Sequence, residues 1–134
     1  MKHMMQGKTL RVARPTDNLE LVLKFYTDGL GLEILYSFKN HDEFDGVMIG
    51  IPGAAYHFEF THHHGHSVGR APTEDNLIVF YFQDRQEWQQ AIERMKINGY
   101  EPVKSYNPYW DRNGATFEDP DGYRVVLQND SWDL

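Results

Sequence analysis

Four histidines stand close together near the middle of the chain, and their type and spacing could support metal chemistry. They are His62, His63, His64 and His66, out of seven histidines in the sequence. Neutral imidazole is the commonest nitrogen ligand for zinc, copper, nickel and iron. Adjacent histidines on an irregular segment do not present a preformed tetrahedron, so three interpretations stay open. The segment is a solvated loop between two halves of the chain, a loop that folds over a ligand pocket, or a set of metal ligands.

A second candidate group lies just before the histidines, in the stretch HFEF. Strict alternation is typical of a β-strand, and it puts Phe58 and Phe60 on one face and His57 and Glu59 on the other. The two polar residues are then about 7 Å apart along the strand. One carboxylate and one imidazole make a poor metal site, because zinc sites normally use three or four protein ligands. Glu59 is the candidate for acid–base chemistry.

The composition limits the class of protein. The chain has 134 residues, no cysteine and a formal net charge of −7. This length is typical of one compact domain, and the absence of cysteine excludes disulfides and thiolate catalysis. The acidic balance argues against a nucleic-acid partner, because binding to phosphates needs a basic face. The sequence has no signal-peptide pattern and no run of about 18 apolar residues, so we expect a cytoplasmic protein with no membrane partner.

The elements that position these residues include two predicted helices, one in each half of the chain. Asp17 and Asp84 each precede a glutamate by three positions, which is the capping-box pattern that opens a helix. An apolar stripe with helical spacing follows each of them. A glycine, Gly31 or Gly99, then ends each helix as a left-handed cap. The two helices therefore occupy equivalent positions in the two halves.

Predicted strands surround each helix in the same order, one before it and three after it. Tyr56 and Tyr123 mark the last strand of each half and lie 67 residues apart, which is half of the chain. This period indicates an internal duplication. We predict an α+β fold, with two paired βαβββ modules at about 9–61 and 75–129 in a single domain spanning 1–134. The modules would form a cupped, partly open eight-stranded sheet with the helices outside.

Two motifs connect this pattern to a known group of proteins. They are FYTDGLGLEIL, which ends the first helix, and FEDPDGYRVVL, which ends the second half. With these motifs, the chain resembles the vicinal oxygen chelate superfamily, which holds glyoxalase I, extradiol dioxygenases, fosfomycin-resistance enzymes and bleomycin-resistance proteins. The resemblance extends from about Thr9 to Asn129. It implies the fold but not one activity, because a single scaffold serves many chemistries.

The resemblance also implies where a metal would bind. In metal-using members, a ligand lies on the first strand of each module, and a glutamate lies on the last strand of one or both modules. The equivalent positions here are Arg11 and Leu77 on the first strands, and Glu59 and Val126 on the last strands. Only Glu59 has the chemistry of a ligand. We therefore expect no cofactor and no bound metal at this position.

The strand faces away from the helices are expected to line a cup for a small organic molecule. The predicted pocket residues are Arg11, His57, Glu59, Leu77, Tyr81, Trp110, Arg124 and Val126. We interpret the chain as a metal-independent binding protein of the glyoxalase/bleomycin-resistance type. The alternative is a lyase, isomerase or dioxygenase-like enzyme of the same superfamily, with Glu59 as metal ligand or general base. Members commonly pair, so the resemblance also implies a homodimer.

Overall fold

The computed structural model describes residues 3–132, which form two compact units. Within that range, unit 1 comprises residues 3–27 and Gly31–Val68, and unit 2 comprises Asp28–Leu30 and residues 69–132. Each unit contains its own small sheet, one of four strands and one of three, together with helices. The predicted α+β class is confirmed. In residues 3–132, no helix combines the length and the apolar character needed to cross a membrane.

Unit 1 contains a four-stranded sheet with the strand order β1-β4-β3-β2. Its strands are β1 (Leu10–Pro15), β2 (Glu33–His41), β3 (Phe44–Gly50) and β4 (Tyr56–His63). The edge strand β1 pairs with β4 in parallel, and the other pairs are antiparallel. Helix α1 (Leu19–Lys24) continues into one π-helical turn, Phe25–Gly29. Gly31, with a φ of 81°, follows this turn as the predicted left-handed cap.

The core of unit 1 lies between the helical segment and one face of the sheet. Phe25 and Tyr26 are fully buried, and the Tyr26 ring centroid lies 4.9 Å from that of Phe60. Burying each of these aromatic side chains contributes about 1.5–3 kcal/mol. Phe58 and Phe60 are both buried, as the alternation in the sequence predicts. Their packing turns the other face of β4 away from the helix.

Unit 2 repeats the arrangement with one strand fewer. Its elements are α2 (Arg85–Ile97), α3 (Tyr109–Arg112), and the strands β5 (Leu77–Tyr81), β6 (Gly114–Glu118) and β7 (Arg124–Gln128), in the order β5-β7-β6. β5 pairs with β7 in parallel, as β1 does with β4. The first of the three strands expected after the second helix, just beyond Gly99, is reduced to an isolated bridge between Val103 and Thr116. Pro102 stands beside this bridge and has no N–H to continue a ladder.

The two predicted capping boxes have different outcomes. Asp84 caps α2, because its carboxylate accepts hydrogen bonds from two backbone N–H groups of the first turn. The prediction for Asp17 is wrong: α1 begins after Asn18, whose side chain makes no capping hydrogen bond. The Asp17 carboxylate instead accepts from Ser67 Oγ at 3.1 Å and from the Val68 backbone N–H at 2.9 Å. It anchors the segment that follows β4.

The interpretation of the histidines as an irregular loop is wrong for the first half of the segment. β4 extends to His63, so His62 and His63 are strand residues whose Cα partners are Asp45 and Phe44 of β3. The His64 backbone N–H donates to Glu43 O at 2.9 Å and lengthens the hairpin by one step. β3 supplies backbone partners here that a run of polar residues does not reveal in the sequence.

Candidate functional site

Arg11, His57 and Glu59 meet on the face of the unit 1 sheet that is turned away from α1. Arg11 and His57 are Cα partners in the parallel pair of β1 and β4, and Glu59 lies two residues further along β4. Arg11 Nε donates to His57 Nε2 at 2.8 Å, and Arg11 Nη1 lies 3.9 Å from Glu59 Oε2. The structure thus brings together three of the predicted pocket residues. We call Arg11, His57 and Glu59 the polar trio.

The hydrogen bond from Arg11 determines which nitrogen of His57 carries a proton. A guanidinium can only donate, so His57 Nε2 accepts, and the neutral ring carries its proton on Nδ1. Arg11 is therefore held by a neutral acceptor on one side and faces a carboxylate on the other. The 3.9 Å separation from Glu59 is too long for a direct hydrogen bond. With 46% of its side chain exposed, Arg11 keeps N–H donors available for a ligand.

Arg11 and Glu59 of the polar trio stand at the first-strand and last-strand positions where the resemblance implies a metal in metal-using members, and the trio does not fit a divalent cation. Arg11 carries a permanent positive charge 3.9 Å from Glu59, the carboxylate at these positions. In unit 2 the equivalent residues are Leu77 and Val126, whose side chains have no ligand atoms. Within residues 3–132, no group of three or more His, Asp or Glu side chains is arranged to hold a metal ion.

The predicted pocket residues on the strands of unit 2 share one face of its sheet. Leu77 pairs with Arg124, and Tyr81 pairs with Gln128, with Val126 between the two on β7. Val126 is fully buried and Tyr81 is exposed. Gln128 is also buried, and its Oε1 has no hydrogen-bond partner within the described part of the chain. Alternation along β7 predicts which face of the sheet Gln128 lies on, but nothing in the sequence distinguishes Gln128 as a site residue.

Arg124 is held by partners within unit 2. Its Nε and Nη2 donate to Glu118 at 3.2 and 3.0 Å, and its Nη1 donates to Lys104 O at 3.0 Å. Nη2 also lies 3.1 Å from Glu74 Oε2. These charge-assisted bonds tie β7 to the neighbouring segments. The role of Arg124 in ligand binding stays a prediction. To contact Arg124 through its guanidinium, a ligand would have to displace one of these partners.

Trp110 lies on the short helix α3. Its ring packs against Tyr109 in a T-shaped arrangement, with the centroids 4.9 Å apart. Such aromatic pairs are favourable by about 0.5–1.5 kcal/mol beyond their burial. Local packing therefore accounts for the position of Trp110, and its contact with a ligand stays a prediction.

The histidines form two pairs with different contacts. His62 Nδ1 lies 3.0 Å from Thr16 O, and His64 Nε2 lies 2.9 Å from Asp45 Oδ1. His63 and His66 instead stack face to face, with their centroids 3.6 Å apart. The sequence does not predict this division, because it depends on Asp45 of β3 and on Thr16, the residue that follows β1.

Asp45 connects His64 to the end of β2. The Asn40 backbone N–H donates to Asp45 Oδ1 at 2.8 Å. This hydrogen bond, followed by the one from His64, holds the pKa of the Asp45 carboxyl below its usual value. The carboxylate is therefore the favoured form of Asp45 in the folded protein.

A cavity of about 390 Å³ opens on the other side of the unit 1 sheet, beside α1. Its lining includes Leu19, Leu23, Ile34, Phe38, Asp45 and Val47. It lies between residues of α1 and residues of β2 and β3. It lies on the opposite face from the polar trio and is a second place where a small molecule could bind.

Comparison with protein families gives two matches that follow one another along the chain. Residues 10–61 match the model of the YycE-like N-terminal domain, and residues 75–129 match that of the YycE-like C-terminal domain. The uncharacterized protein YycE of Bacillus subtilis (strain 168) is 44% identical over 124 residues. That alignment covers 92% of this chain and 89% of YycE.

Three solved structures have similar folds. The crystal structure of a YycE protein of unknown function from Bacillus subtilis superposes with a TM-score of 0.87 at 42% identity, covering 96% of this chain and 93% of that one. The trypanothione-dependent glyoxalase I of Leishmania major gives 0.70 at 20% identity, with coverages of 91% and 86%. TnmS3, an antibiotic binding protein from Streptomyces sp. CB03234, gives 0.67 at 19% identity, with coverages of 96% and 100%. The last two matches show the fold alone.

Proposed function

The chain belongs to the YycE-like family of the vicinal oxygen chelate superfamily, and on that premise we propose that it binds a small organic molecule with an anionic group, without a metal. The observation that carries this proposal is the polar trio. A guanidinium stands beside Glu59, at the position where the resemblance implies a cation in metal-using members. The positive charge that would receive the ligand is thus supplied by Arg11 itself.

Arg11 is the residue proposed to receive the anionic group. Its planar guanidinium can form two parallel hydrogen bonds to a carboxylate or phosphonate. His57 engages Nε, so the Nη atoms are the donors that point to the ligand in this proposal. Glu59 would accept a hydrogen bond from an N–H or O–H group of the same ligand. A partly desolvated surrounding strengthens both contacts.

The fold neighbours include both binding proteins and enzymes. TnmS3, described as an antibiotic binding protein, supports a binding role for this scaffold. Glyoxalase I supports the second candidate, an enzyme in which Glu59 acts as general base. The favourable observation for that candidate is the 3.9 Å gap to Arg11, which leaves a Glu59 oxygen available to accept a proton. The Arg11 guanidinium beside Glu59 can receive an anionic ligand, so we propose binding as the main function.

Three further properties belong to the same proposal. The two modules act as one domain, the protein works in the cytoplasm, and two copies form a homodimer. We also propose that neither nucleic acid nor a membrane is a partner, in keeping with the net charge of −7. Size-exclusion chromatography with light scattering tests the dimer, whose measured mass would be twice the 15.7 kDa of one chain.

The binding proposal is tested with benzoate as a minimal aromatic anion and benzamide as its neutral counterpart. Both are titrated into untagged protein and followed by backbone amide shifts in NMR spectra. We expect saturable benzoate shifts at Arg11 and Glu59, and at least about tenfold weaker binding in Arg11→Met. Arg14→Met is the matched control, because Arg14 lies on the same strand but its guanidinium stacks over Phe60.

Three outcomes would contradict the proposal. Equal benzoate affinity in wild type and Arg11→Met would remove the guanidinium from the site. Shifts confined to the cavity beside α1 would move the ligand to the opposite face of the sheet. Similar losses in Arg11→Met and Arg14→Met would mean that general charge, and not the polar trio, attracts the anion.

A further inference from the structure

His62 and His64 each use one ring nitrogen in a hydrogen bond. The other nitrogen of each neutral ring is unprotonated and carries a lone pair. A carbonyl oxygen can only accept, so His62 Nδ1, 3.0 Å from Thr16 O, carries the proton. The Asp45 carboxylate also accepts, so the proton of His64 is on Nε2, 2.9 Å from Oδ1. The lone pairs are therefore on Nε2 of His62 and Nδ1 of His64.

This pattern of hydrogen bonds is typical of histidines that bind metal ions. A ligating histidine almost always donates its other ring N–H to a backbone carbonyl or a carboxylate, which fixes the tautomer and raises the basicity of the ligand nitrogen. Thr16 O plays this part for His62, and Asp45 plays it for His64. Asp45 is held in turn by the Asn40 backbone N–H.

The distance between the two rings is close to the distance between two imidazoles that bind the same metal ion. Their centroids are 6.4 Å apart. Two imidazoles that bind one ion at about 2.1 Å place their centroids roughly 5 to 6 Å apart, so a small side-chain rotation closes the gap. Both residues are partly exposed, so water can fill the remaining coordination positions.

His63 and His66 provide an internal comparison through the geometry of their rings. His66 Nδ1 also lies 3.0 Å from a carbonyl oxygen, His64 O, so the hydrogen bond alone does not distinguish the two pairs. Their rings are nearly parallel, with an interplanar angle of 8°, and stack at 3.6 Å. Lone pairs lie in the ring planes, so those of two stacked rings do not converge on one ion. A second aromatic contact, between His63 and Phe44 at 4.3 Å, extends the stack.

We propose that His62 and His64 form an exchangeable site for a divalent late transition metal, such as Ni²⁺, Zn²⁺ or Cu²⁺. Imidazole suits these ions, and Cu²⁺ is expected to bind most tightly. Both side chains lie on the α1 side of the sheet, opposite the polar trio, so this site does not rest on the proposed function. Two protein ligands hold the ion less tightly than three or four, and dialysis is expected to remove it.

The test is calorimetric titration of untagged, chelator-treated protein with NiCl₂ and, separately, ZnCl₂. We expect one equivalent of metal to bind, and the double variant His62→Gln/His64→Gln to bind at least about tenfold more weakly. Asp45→Asn keeps an oxygen for the Asn40 N–H but removes the charge behind His64, and it should weaken binding by about tenfold. The matched control, His63→Gln/His66→Gln, should stay within about twofold of wild type.

Circular dichroism establishes that each variant is folded before it is titrated. The proposal is overturned if the wild type binds no metal saturably up to about 1 mM. It is also overturned if the control pair loses as much affinity as the His62/His64 pair, because the cluster would then bind without a defined geometry. An unchanged affinity in Asp45→Asn would exclude the carboxylate from the site.

Discussion

Removing the charges of the polar trio should affect ligand binding more than stability. Two unit charges 3.9 Å apart attract by about 1 kcal/mol in water and by about 4 kcal/mol at an effective dielectric constant of 20. Nearly half of the Arg11 side chain is exposed, and exposed pairs contribute about 0.2–1 kcal/mol once side-chain entropy is included. We therefore expect Glu59→Gln to lower the free energy of unfolding by at most about 1 kcal/mol. Arg11→Met also loses the hydrogen bond to His57, which contributes about 1 kcal/mol more.

A double-mutant cycle measures the coupling between the two residues. The free energy of unfolding is determined by urea titration for wild type, Arg11→Met, Glu59→Gln and the double variant. We expect a coupling of at most about 1 kcal/mol. A cost of about 3–5 kcal/mol for either single variant would mean that the pair is a buried structural ion pair. If the double variant also kept full affinity for benzoate, the assignment of the site would be refuted.

Three further predictions follow from other parts of the chain. Asp84→Ala should cost about 1 kcal/mol of stability through loss of the α2 cap, whereas Asp17→Ala should not change helix content by circular dichroism. The pKa of Asp45 is lowered in the folded state, first by the Asn40 N–H and then by His64, so its contribution to stability is present above about pH 3.8 and is lost as the pH falls below that value. Urea titrations of wild type and Asp45→Asn should therefore differ at pH 6 and converge in acid; an unchanged difference would exclude this carboxylate as the cause. Protein purified without a tag and dialysed should carry less than about 0.2 equivalents of transition metal by elemental analysis, and a stoichiometric metal retained by His62→Gln/His64→Gln would contradict the metal-independent proposal.

Strand faces were predictable from the sequence because alternation is a local property. In HFEF the two phenylalanines are buried, and His57 and Glu59 lie on the other face, as the pattern predicts. The α+β class and the βαβββ order of unit 1 follow from the same local patterns, whereas in unit 2 the strand expected after α2 is reduced to an isolated bridge. The meeting of Arg11 with these residues also follows, since β1 and β4 pair in parallel in the fold that the resemblance implies.

Contacts between distant residues were not predictable from local patterns. Asp17 has the spacing of a helix cap, yet its carboxylate binds the Val68 N–H, 51 residues away. The sequence favours a loop for the histidines because their strand partners are in β3, a separate segment that only the folded chain brings beside them. Arg124 likewise pairs with Glu74, 50 residues earlier. In each case a polar group is satisfied by a partner that only the folded chain brings near.

The ligand-binding claim is tested most directly by a crystal structure of untagged protein soaked with phenylphosphonate in the presence of a chelator. We predict that the phosphonate oxygens lie within hydrogen-bond distance of the Arg11 Nη atoms, with Glu59 close by and no metal ion between them. Phenylphosphonate bound only in the cavity beside α1 would contradict the account.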